Sequence, residues 1–305
     1  MANRFFDVQG HRGARGLAPE NTLPAFARAL DVGVTTLELD CAITRDGIVV
    51  MSHDRKLDPA IIRDEQGRWL TGAGPAIRDL TWAELERYDV GRIDPQSPYA
   101  ARFPRQQAID GTRIARLSEL FALVRQRGDE HVRFNIETKL SPLAPEESAP
   151  PELFVETLLQ VISEAGMQSR VIIQSFFWRT LKLVQEKTPG IPTSYLTSAQ
   201  SDPHNGIATA RAALWTDGFD LRDFGGSVPR MVAAAGGALW SPDYADLCAE
   251  LIAETHSCAL LVVPWTVNSE SAMTRLIAWG VDGLISDYPD VLVRVARECL
   301  APPES

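Results

Sequence analysis

The sequence predicts an α/β fold, namely a (β/α)8 TIM barrel with an insertion after the second strand. Strand-like apolar runs alternate with amphipathic helical stretches along the 305-residue chain, giving eight strand–helix pairs. Strict alternation is typical of a parallel sheet, and eight units at this length favour a closed barrel over an open sheet. An open dinucleotide-binding sheet is disfavoured further because no GxGxxG motif follows the first strand.

The first three units occupy the N-terminal half. Short apolar runs predict strands at residues 5–9, 35–40 and 131–137. Amphipathic stretches predict helices at residues 21–32, 118–126 and 151–165. Asn21 is a suitable N-cap for the first of these helices. After the second strand, Asp46-Gly47 lies between two strand-like runs and predicts a hairpin with a two-residue turn.

The C-terminal half supplies the other five units. Strands are predicted at residues 170–174, 193–196, 237–240, 259–267 and 283–286. Helices are predicted at residues 179–187, 244–254 and 270–279, and a last helix follows residue 286. The fifth helix, between residues 196 and 237, has the weakest pattern and is not placed.

A segment from about residue 57 to residue 116 breaks this rhythm with prolines, glycines and arginines. It is too long for a plain loop and is expected to have structure of its own, including one short helix at residues 82–88. We therefore expect a single barrel domain over residues 1–305 that carries an insertion subdomain.

Composition limits the possible partners. Hydrophobic residues make up 45% of the chain and charged residues 23%, as in a soluble globular protein, and disorder is expected only at residues 301–305. The net charge of -10 argues against nucleic acid as a partner. The longest apolar runs fall short of the ~20 residues that a membrane-spanning helix needs. Residues 1–4 leave no room for a leader, so a cytoplasmic location is expected, or a periplasmic one if a leader has been removed.

Acidic side chains converge on the expected mouth of the barrel. Glu38 and Asp40 are two residues apart on one strand and so project from the same face, and Glu137 ends the third strand. Barrel enzymes carry their chemistry at these carboxyl ends. Three carboxylates there would repel one another without a cation, and oxygen ligands suit a hard ion. We predict one divalent metal ion, Ca2+ or Mg2+, held by Glu38, Asp40 and Glu137.

Two histidines belong to the same constellation. His11 follows the first strand, and pairing Arg45 with Ile48 across the hairpin places His53 opposite Asp40, at about 5 Å. Histidine titrates near neutral pH, so the pair is suited to general acid–base catalysis, with the assignment of acid and base left open.

Further candidates would contact a substrate. Arg12 and Lys139 supply fixed positive charge for an anionic part of a substrate and for the transition state, so we count them as both catalytic and substrate-binding. Phe176 and Trp265 are candidate aromatic walls of the substrate pocket, with barrel core as the alternative.

The chain resembles the glycerophosphodiester phosphodiesterase family of the PLC-like phosphodiesterase superfamily. The similarity lies in motifs that occur in the family's order: HRGARGLAPENTLPAF from His11, LELD at Leu37–Asp40 followed by TRDGIVVMSHD, IETK at Ile136–Lys139, VPWTVN at Val263–Asn268, and DGLISDYP at Asp282–Pro289. The resemblance implies catalytic, phosphate-binding and metal-binding roles for His11, Arg12, Glu38, Asp40, His53, Glu137 and Lys139. Phe177 stands where the family often has aspartate, which leads us to expect a different preference for the alcohol.

We therefore expect metal-dependent hydrolysis of small-molecule glycerophosphodiesters to glycerol 3-phosphate and an alcohol, by a monomer or homodimer. Attack by a neighbouring hydroxyl, giving a cyclic phosphate, and direct attack by water are both open. The alternatives are a lysophospholipase D or sphingomyelinase D-like phosphodiesterase, for which Trp69, Leu70 and Trp82 would form an apolar groove, and an inactive module that binds a phosphate ligand.

Overall fold

A parallel barrel surrounded by helices is the architecture of the computed structural model, which describes residues 5–199 and 211–301. Within these residues the strands are β1 (Asp7–Gly10), β2 (Thr36–Ile43), β3 (Val49–Met51), β4 (Arg133–Thr138), β5 (Val171–Ser175), β6 (Thr193–Thr197), β7 (Leu239–Pro242), β8 (Leu261–Val262) and β9 (Gly283–Ser286), of which all but β3 form the barrel. All are parallel to their neighbours except β3, which forms an antiparallel hairpin with β2. The predicted eight-stranded barrel is confirmed.

Helices follow the strands around the outside of the barrel. They are α1 (Leu23–Val32), α2 (Trp82–Leu85), α3 (Leu117–Gln126), α4 (Pro151–Glu164), α5 (Trp178–Lys187), α6 (Ala212–Trp215), α7 (Val228–Ala234), α8 (Ala249–Ser257), α9 (Glu270–Trp279) and α10 (Pro289–Leu300). The helix that the sequence left unplaced is α7, with the short α6 before it. One core cluster packs the inner faces of these helices against the strands, including Phe26, Phe134 and Leu284.

The strand predicted at residues 259–267 is much shorter in the structure. Ala259 has a positive φ of 57°, and Pro264 has no N–H to donate to a sheet ladder. Barrel closure continues past β8 through individual backbone bonds: Asp282 N donates to Val262 O at 2.9 Å and Ile285 N donates to Pro264 O at 3.1 Å. The wall of the barrel is therefore nearly continuous.

The segment between β3 and α3 has structure of its own, as expected. It contains 3-10 turns at Ile77–Asp79 and Ala100–Arg102, besides the short helix α2, which ends three residues before the predicted residue 88. A second apolar cluster lies under it, in which Leu57, Ile77 and Leu85 pack on Val50 of the hairpin. The insertion is thus attached to the barrel on the outer face of β2 and β3.

No described helix combines the length and the apolar character needed to cross a bilayer. Residues 1–4, on which the expected cytoplasmic location rests, and residues 302–305 of the expected disordered end lie outside the described residues.

Candidate active site

A cavity of about 380 Å3 opens at the carboxyl ends of the strands. The predicted site residues that line it are His11, Arg12, Glu38, His53, Glu137, Lys139, Phe176 and Trp265. Asp40 lies directly behind them, almost fully buried. The structure therefore brings together all the residues that the sequence selected, from β2 and β4 and from the chain after β1, β3, β4, β5 and β8.

Three carboxylates form a compact acidic cluster at the floor of this cavity. Asp40 and Glu137 are register partners on the neighbouring strands β2 and β4, and Glu38 precedes Asp40 on the same face. One oxygen from each of the three lies within 4.8 Å of the others. That spacing is about twice a calcium–oxygen bond of ~2.4 Å, so a single divalent cation could contact all three.

Hydrogen bonding leaves room for such a cation. Oδ1 of Asp40 is buried and accepts no hydrogen bond within the described residues; the ammonium of Lys139 lies 3.3 Å from it. Buried carboxylate oxygens are rarely left unpaired, so this atom is a suitable metal ligand. The donor set, all oxygen and all anionic, fits a hard divalent ion.

The pKa values of the three carboxyls also indicate that the cluster has room for an added positive charge. Burial and the neighbouring charges of Asp40 and Glu137 raise the pKa of Glu38 well above its usual range. Burial raises the pKa of Glu137 to about 7, with Asp40 adding to the rise and Lys139 opposing it. Although burial opposes ionisation of Asp40 too, Lys139 and Arg12 hold the pKa of that carboxyl well below its usual range. Two local cations thus do not neutralise the cluster.

Glu38 is oriented by a polar network inside the barrel. Its two oxygens accept hydrogen bonds from Arg12 N at 2.8 Å and from the Gln174 amide at 2.7 Å. Gln174 in turn accepts a bond of 2.9 Å from Asn135, which also bonds Gln9 at 2.8 Å. A side chain held from both sides presents its oxygens to the cavity in one geometry.

Asn21 has a different role from the predicted one. The N-cap of α1 is Thr22, whose side chain accepts a bond from Ala25 N. Asn21 instead adopts a positive φ of 54°, and its amide donates to Oδ2 of Asp40 at 2.9 Å. Asparagine tolerates this left-handed conformation, which turns the amide toward β2. The residue positions an acidic side chain of the cluster.

The GHRG turn places Arg12 over the same cluster. Arg12 itself has a φ of 51°, and its guanidinium pairs with Glu20 and lies 3.2 Å from Asp40. Gly13 has a φ of 81°, and a Cβ there would lie 2.7 Å from the backbone of Ala25. Only glycine fits where the turn packs this closely against α1.

His11 is held by a partner far along the chain. Its Nδ1 bonds Oδ1 of Asp287 at 2.7 Å, and its Nε2 lies 3.9 Å from Glu38. A carboxylate can only accept, so Nδ1 carries the proton and Nε2 is free to take one. Arg15 and Asn268 fix Asp287 in turn, at 2.7 Å each. Burial lowers the pKa of His11 to about 4, with Arg15 contributing and Asp287 opposing.

His53 reaches the cavity although the predicted hairpin register is wrong by one residue. Cys41 pairs with Met51, and Ser52 N donates to Asp40 O at 3.0 Å, so Ser52, not His53, is opposite Asp40. The turn has three residues, because Thr44 pairs with Ile48 around Gly47, which has a φ of 79°.

A bend directly after β3 turns His53 toward the cavity. Its Nδ1 bonds Asp54 at 2.9 Å, an arrangement that matches His11 and Asp287. Burial lowers the pKa of His53, and Arg12 and Lys139 add to this effect. Both imidazoles therefore favour the neutral form, with one nitrogen bonded to a carboxylate.

The aromatic candidates form one wall. The rings of Phe176 and Trp265 meet edge to face with centroids 5.5 Å apart, and the Trp265 indole donates to Ser241 O at 2.9 Å. Both side chains are partly exposed to the cavity, which fits a pocket wall better than barrel core.

Sequence reasoning gave no role to several residues of this site. Asp287, Glu20 and Gln174 orient the predicted side chains, and Tyr99 and Arg102 of the insertion also line the cavity. Asp287 and Glu20 were visible within the motifs DGLISDYP and APENT, but His11 and Tyr99, with which they bond, lie far away in the sequence.

Comparison with known proteins gives consistent results. The model of the Glycerophosphoryl diester phosphodiesterase family matches residues 11–291. A glycerophosphodiester phosphodiesterase of Bacillus subtilis (strain 168) is 31% identical over 289 residues, covering 94% of this chain and 85% of its own. One from Caldanaerobacter subterraneus subsp. tengcongensis is 29% identical over 95% of this chain and 98% of its own.

Solved structures agree on the fold. A protein of Silicibacter pomeroyi DSS-3, to which the same diesterase activity is attributed, has 36% identity and a TM-score of 0.85, covering 97% of this chain and 94% of its own. An Oleispira antarctica phosphodiesterase, solved with the product sn-glycerol-3-phosphate, superposes with a TM-score of 0.68 at 23% identity, over 95% and 96% of the two chains.

Proposed function

The chain belongs to the glycerophosphoryl diester phosphodiesterase family, and on this premise we propose that it hydrolyses glycerophosphodiesters to glycerol 3-phosphate and an alcohol. One observation carries the proposal. Two histidines, each bonded at Nδ1 to a carboxylate, line the same cavity as a buried cluster of three acids. A phosphodiester in this cavity would meet a proton acceptor, a proton donor and cations together.

Glu38, Asp40 and Glu137 would hold the divalent metal ion. Such an ion supplies Lewis-acid polarisation of the phosphoryl group and lowers the pKa of an attacking oxygen. The chain's own residues define the rest of the site. Asn21 fixes the orientation of Asp40, and Gln174 fixes that of Glu38. The ammonium of Lys139 lies 2.8 Å from Glu137 and offsets part of the negative charge of the cluster.

Arg12 and Lys139 would bind the non-bridging oxygens of the phosphate. Arg12 is buried and Lys139 nearly so, both beside the acidic cluster, where charged hydrogen bonds are strong because little water competes. Their positive charge is in place before the reaction and costs no reorganisation when negative charge develops on the phosphoryl oxygens.

His11 and His53 would transfer the protons. One imidazole, in its neutral form, takes the proton of the attacking water or hydroxyl at Nε2, and the other, which must first take up a proton to become an imidazolium, delivers that proton from Nε2 to the oxygen of the leaving alcohol. Asp287 and Asp54 hold the rings in orientation and stabilise whichever imidazolium forms. We further propose that residues 1–305 act as one phosphodiesterase domain, because insertion residues line the same cavity as barrel residues.

The activity on lipid-bearing diesters has less support. Leu70 and Trp82 are partly buried and pack on the insertion's own apolar cluster, and Trp69 lies against Arg63, 5.4 Å from ring to guanidinium carbon. These side chains therefore do not form an open apolar groove. Loss of activity is also disfavoured, because every predicted acid, base and cation is present in one cavity.

Turnover of glycerophosphocholine tests the proposal. Release of glycerol 3-phosphate is measured for the wild type with and without a chelator, for His11→Ala, and for the control His131→Ala, an exposed histidine outside the cavity. We expect the control to match the wild type and His11→Ala to lose at least about a hundredfold in kcat. Turnover that resists chelation would remove the metal ion from the mechanism, and a fully active His11→Ala would remove the histidine.

A further inference from the structure

Arg102 differs from the other basic residues that line the cavity. Arg12 pairs with Glu20 and Asp40, Arg15 pairs with Asp287, and Lys139 pairs with Glu137 and Asp40. Arg102 lines the same cavity, yet within residues 5–199 and 211–301 no carboxylate lies within ion-pair distance of it. It is also exposed to solvent. Arg102 is therefore a cation at the mouth of the cavity whose charge is not balanced by any described carboxylate.

Two neighbouring aromatic rings fix the position of the Arg102 guanidinium. Its guanidinium carbon lies 5.3 Å from the ring centroid of Tyr99 and 5.5 Å from that of Phe103. Tyr99 donates a hydrogen bond to Glu20, and Phe103 is buried under Arg15 at 4.6 Å. A guanidinium stacked on fixed rings loses little freedom when its N–H edge binds a ligand.

The barrel and the insertion both contribute to the lining of the cavity. Phe176 and Trp265 come from the chain after β5 and β8, and the insertion contributes Asp58, Tyr99 and Arg102, a set that we call the insertion wall. The glycerol phosphate part is common to every substrate of the proposed reaction and is matched by barrel residues. The insertion wall is then left for the alcohol, which is the part that varies.

Resting on the proposed function, we propose that Arg102 binds an anionic group on the alcohol part of the substrate, so that the enzyme selects glycerophosphodiesters whose alcohol carries a carboxylate or a phosphate. The N–H edge of a guanidinium matches both groups with two parallel hydrogen bonds. The scissile phosphate has its own partners in Arg12 and Lys139, so Arg102 is available for a second anion.

The first test compares glycerophosphoserine with glycerophosphoethanolamine, which differ only by a carboxylate. Both carry an ammonium group, so any effect of Asp58 cancels in the ratio of their kcat/KM values. In Arg102→Gln we expect the kcat/KM for glycerophosphoserine, divided by that for glycerophosphoethanolamine, to fall about tenfold relative to the wild type, since one charged hydrogen-bonded pair is lost. Arg113→Gln, an exposed arginine of the insertion outside the cavity, serves as the control and should keep the wild-type ratio.

The second test uses glycerophosphoglycerol and its terminal phosphate monoester, which differ only by a phosphate. If Arg102→Gln lowers the kcat/KM ratio of anionic to matched diester only in this second pair, the group that Arg102 binds is a phosphate. If it lowers the ratio only in the first pair, the group is a carboxylate. Either result supports the inference. Unchanged ratios in both pairs overturn it, as does an equal change in Arg113→Gln. If the wild type hydrolyses none of the four diesters, the proposed hydrolysis itself is wrong, a result that differs from hydrolysis of all four with unchanged ratios.

Discussion

Nδ1 of His11 bonds Oδ1 of Asp287 at 2.7 Å across 276 residues of sequence. The bond joins the chain after β1 to the chain after β9, which are neighbouring strands in the barrel. His11 is thereby held with Nε2 toward the cavity, and Asp287 is a positioning residue for it.

Asp287→Asn should lower kcat by about a hundredfold and leave KM nearly unchanged, because the amide can donate to Nδ1 and stabilise the wrong tautomer. Steady-state kinetics on glycerophosphocholine measures this. Asp290→Asn, which breaks only a surface pair with Arg105, is the control. A rise in KM with kcat intact would contradict the positioning role.

Glu137→Gln should weaken binding of the divalent ion. Saturating Ca2+ or Mg2+ is expected to raise the Tm of the wild type by several degrees, since a ligand at 100 times its Kd stabilises by about 2.7 kcal/mol. The variant should show little rise, whereas Glu130→Gln, at an exposed glutamate, should behave as the wild type. Equal rises in all three proteins would place the ion elsewhere.

Asn21→Asp should lower metal affinity by about 10- to 100-fold, because a carboxylate would face Oδ2 of Asp40 where an amide now donates at 2.9 Å. Isothermal titration with Ca2+ and Mg2+ measures the affinity. Gln66→Glu adds the same charge on the exposed surface of the insertion and should change little. An unaltered affinity in Asn21→Asp would show that the amide does not orient Asp40.

Trp265→Ala should raise KM about tenfold with a smaller effect on kcat, since the wall that it forms with Phe176 would be lost while the acidic cluster stays intact. Trp279→Ala, at the end of α9 and outside the cavity, controls for the loss of an indole. If kcat rather than KM falls, the side chain acts on the transition state and not as a pocket wall.

Gly13→Ala should lower the free energy of unfolding by about 2 kcal/mol or more, because a positive φ and a backbone clash act together. Gly47 has a similar φ of 79° but open space around a Cβ, so Gly47→Ala should cost only about 1 kcal/mol. Urea denaturation of both variants gives the comparison. Equal losses would mean that packing against α1 contributes nothing at Gly13.

Periodicity was enough to predict the barrel and the acidic cluster. The alternation of side chains along a strand fixes Glu38 and Asp40 on one face, and carboxyl ends of parallel strands meet at one end of a barrel. Neither inference needs an accurate register, so errors of up to five residues at the ends of elements, as at β8, did not affect them.

Register and long-range partners could not be predicted in the same way. The Asp46-Gly47 signal fits a two-residue or a three-residue turn, and the structure uses the longer one, so the pairing of Asp40 with His53 was wrong. Asn21 is a plausible N-cap by residue type, and only the packing of its loop against β2 turns the amide to Asp40. Tyr99 and Arg102 lie in a segment without periodicity, which gives no indication of where it returns to the barrel.

Glu20 accepts hydrogen bonds from both Arg12 and Tyr99. One carboxylate thus connects the guanidinium of Arg12, at the mouth of the barrel, to the insertion. Replacing the insertion by one from another member of this family would therefore also affect the barrel. A segment without a hydroxyl at the position of Tyr99 would remove one of the two hydrogen bonds to Glu20 and so weaken the orientation of Arg12. A segment grafted in place of this insertion should therefore keep a tyrosine where Tyr99 now bonds Glu20.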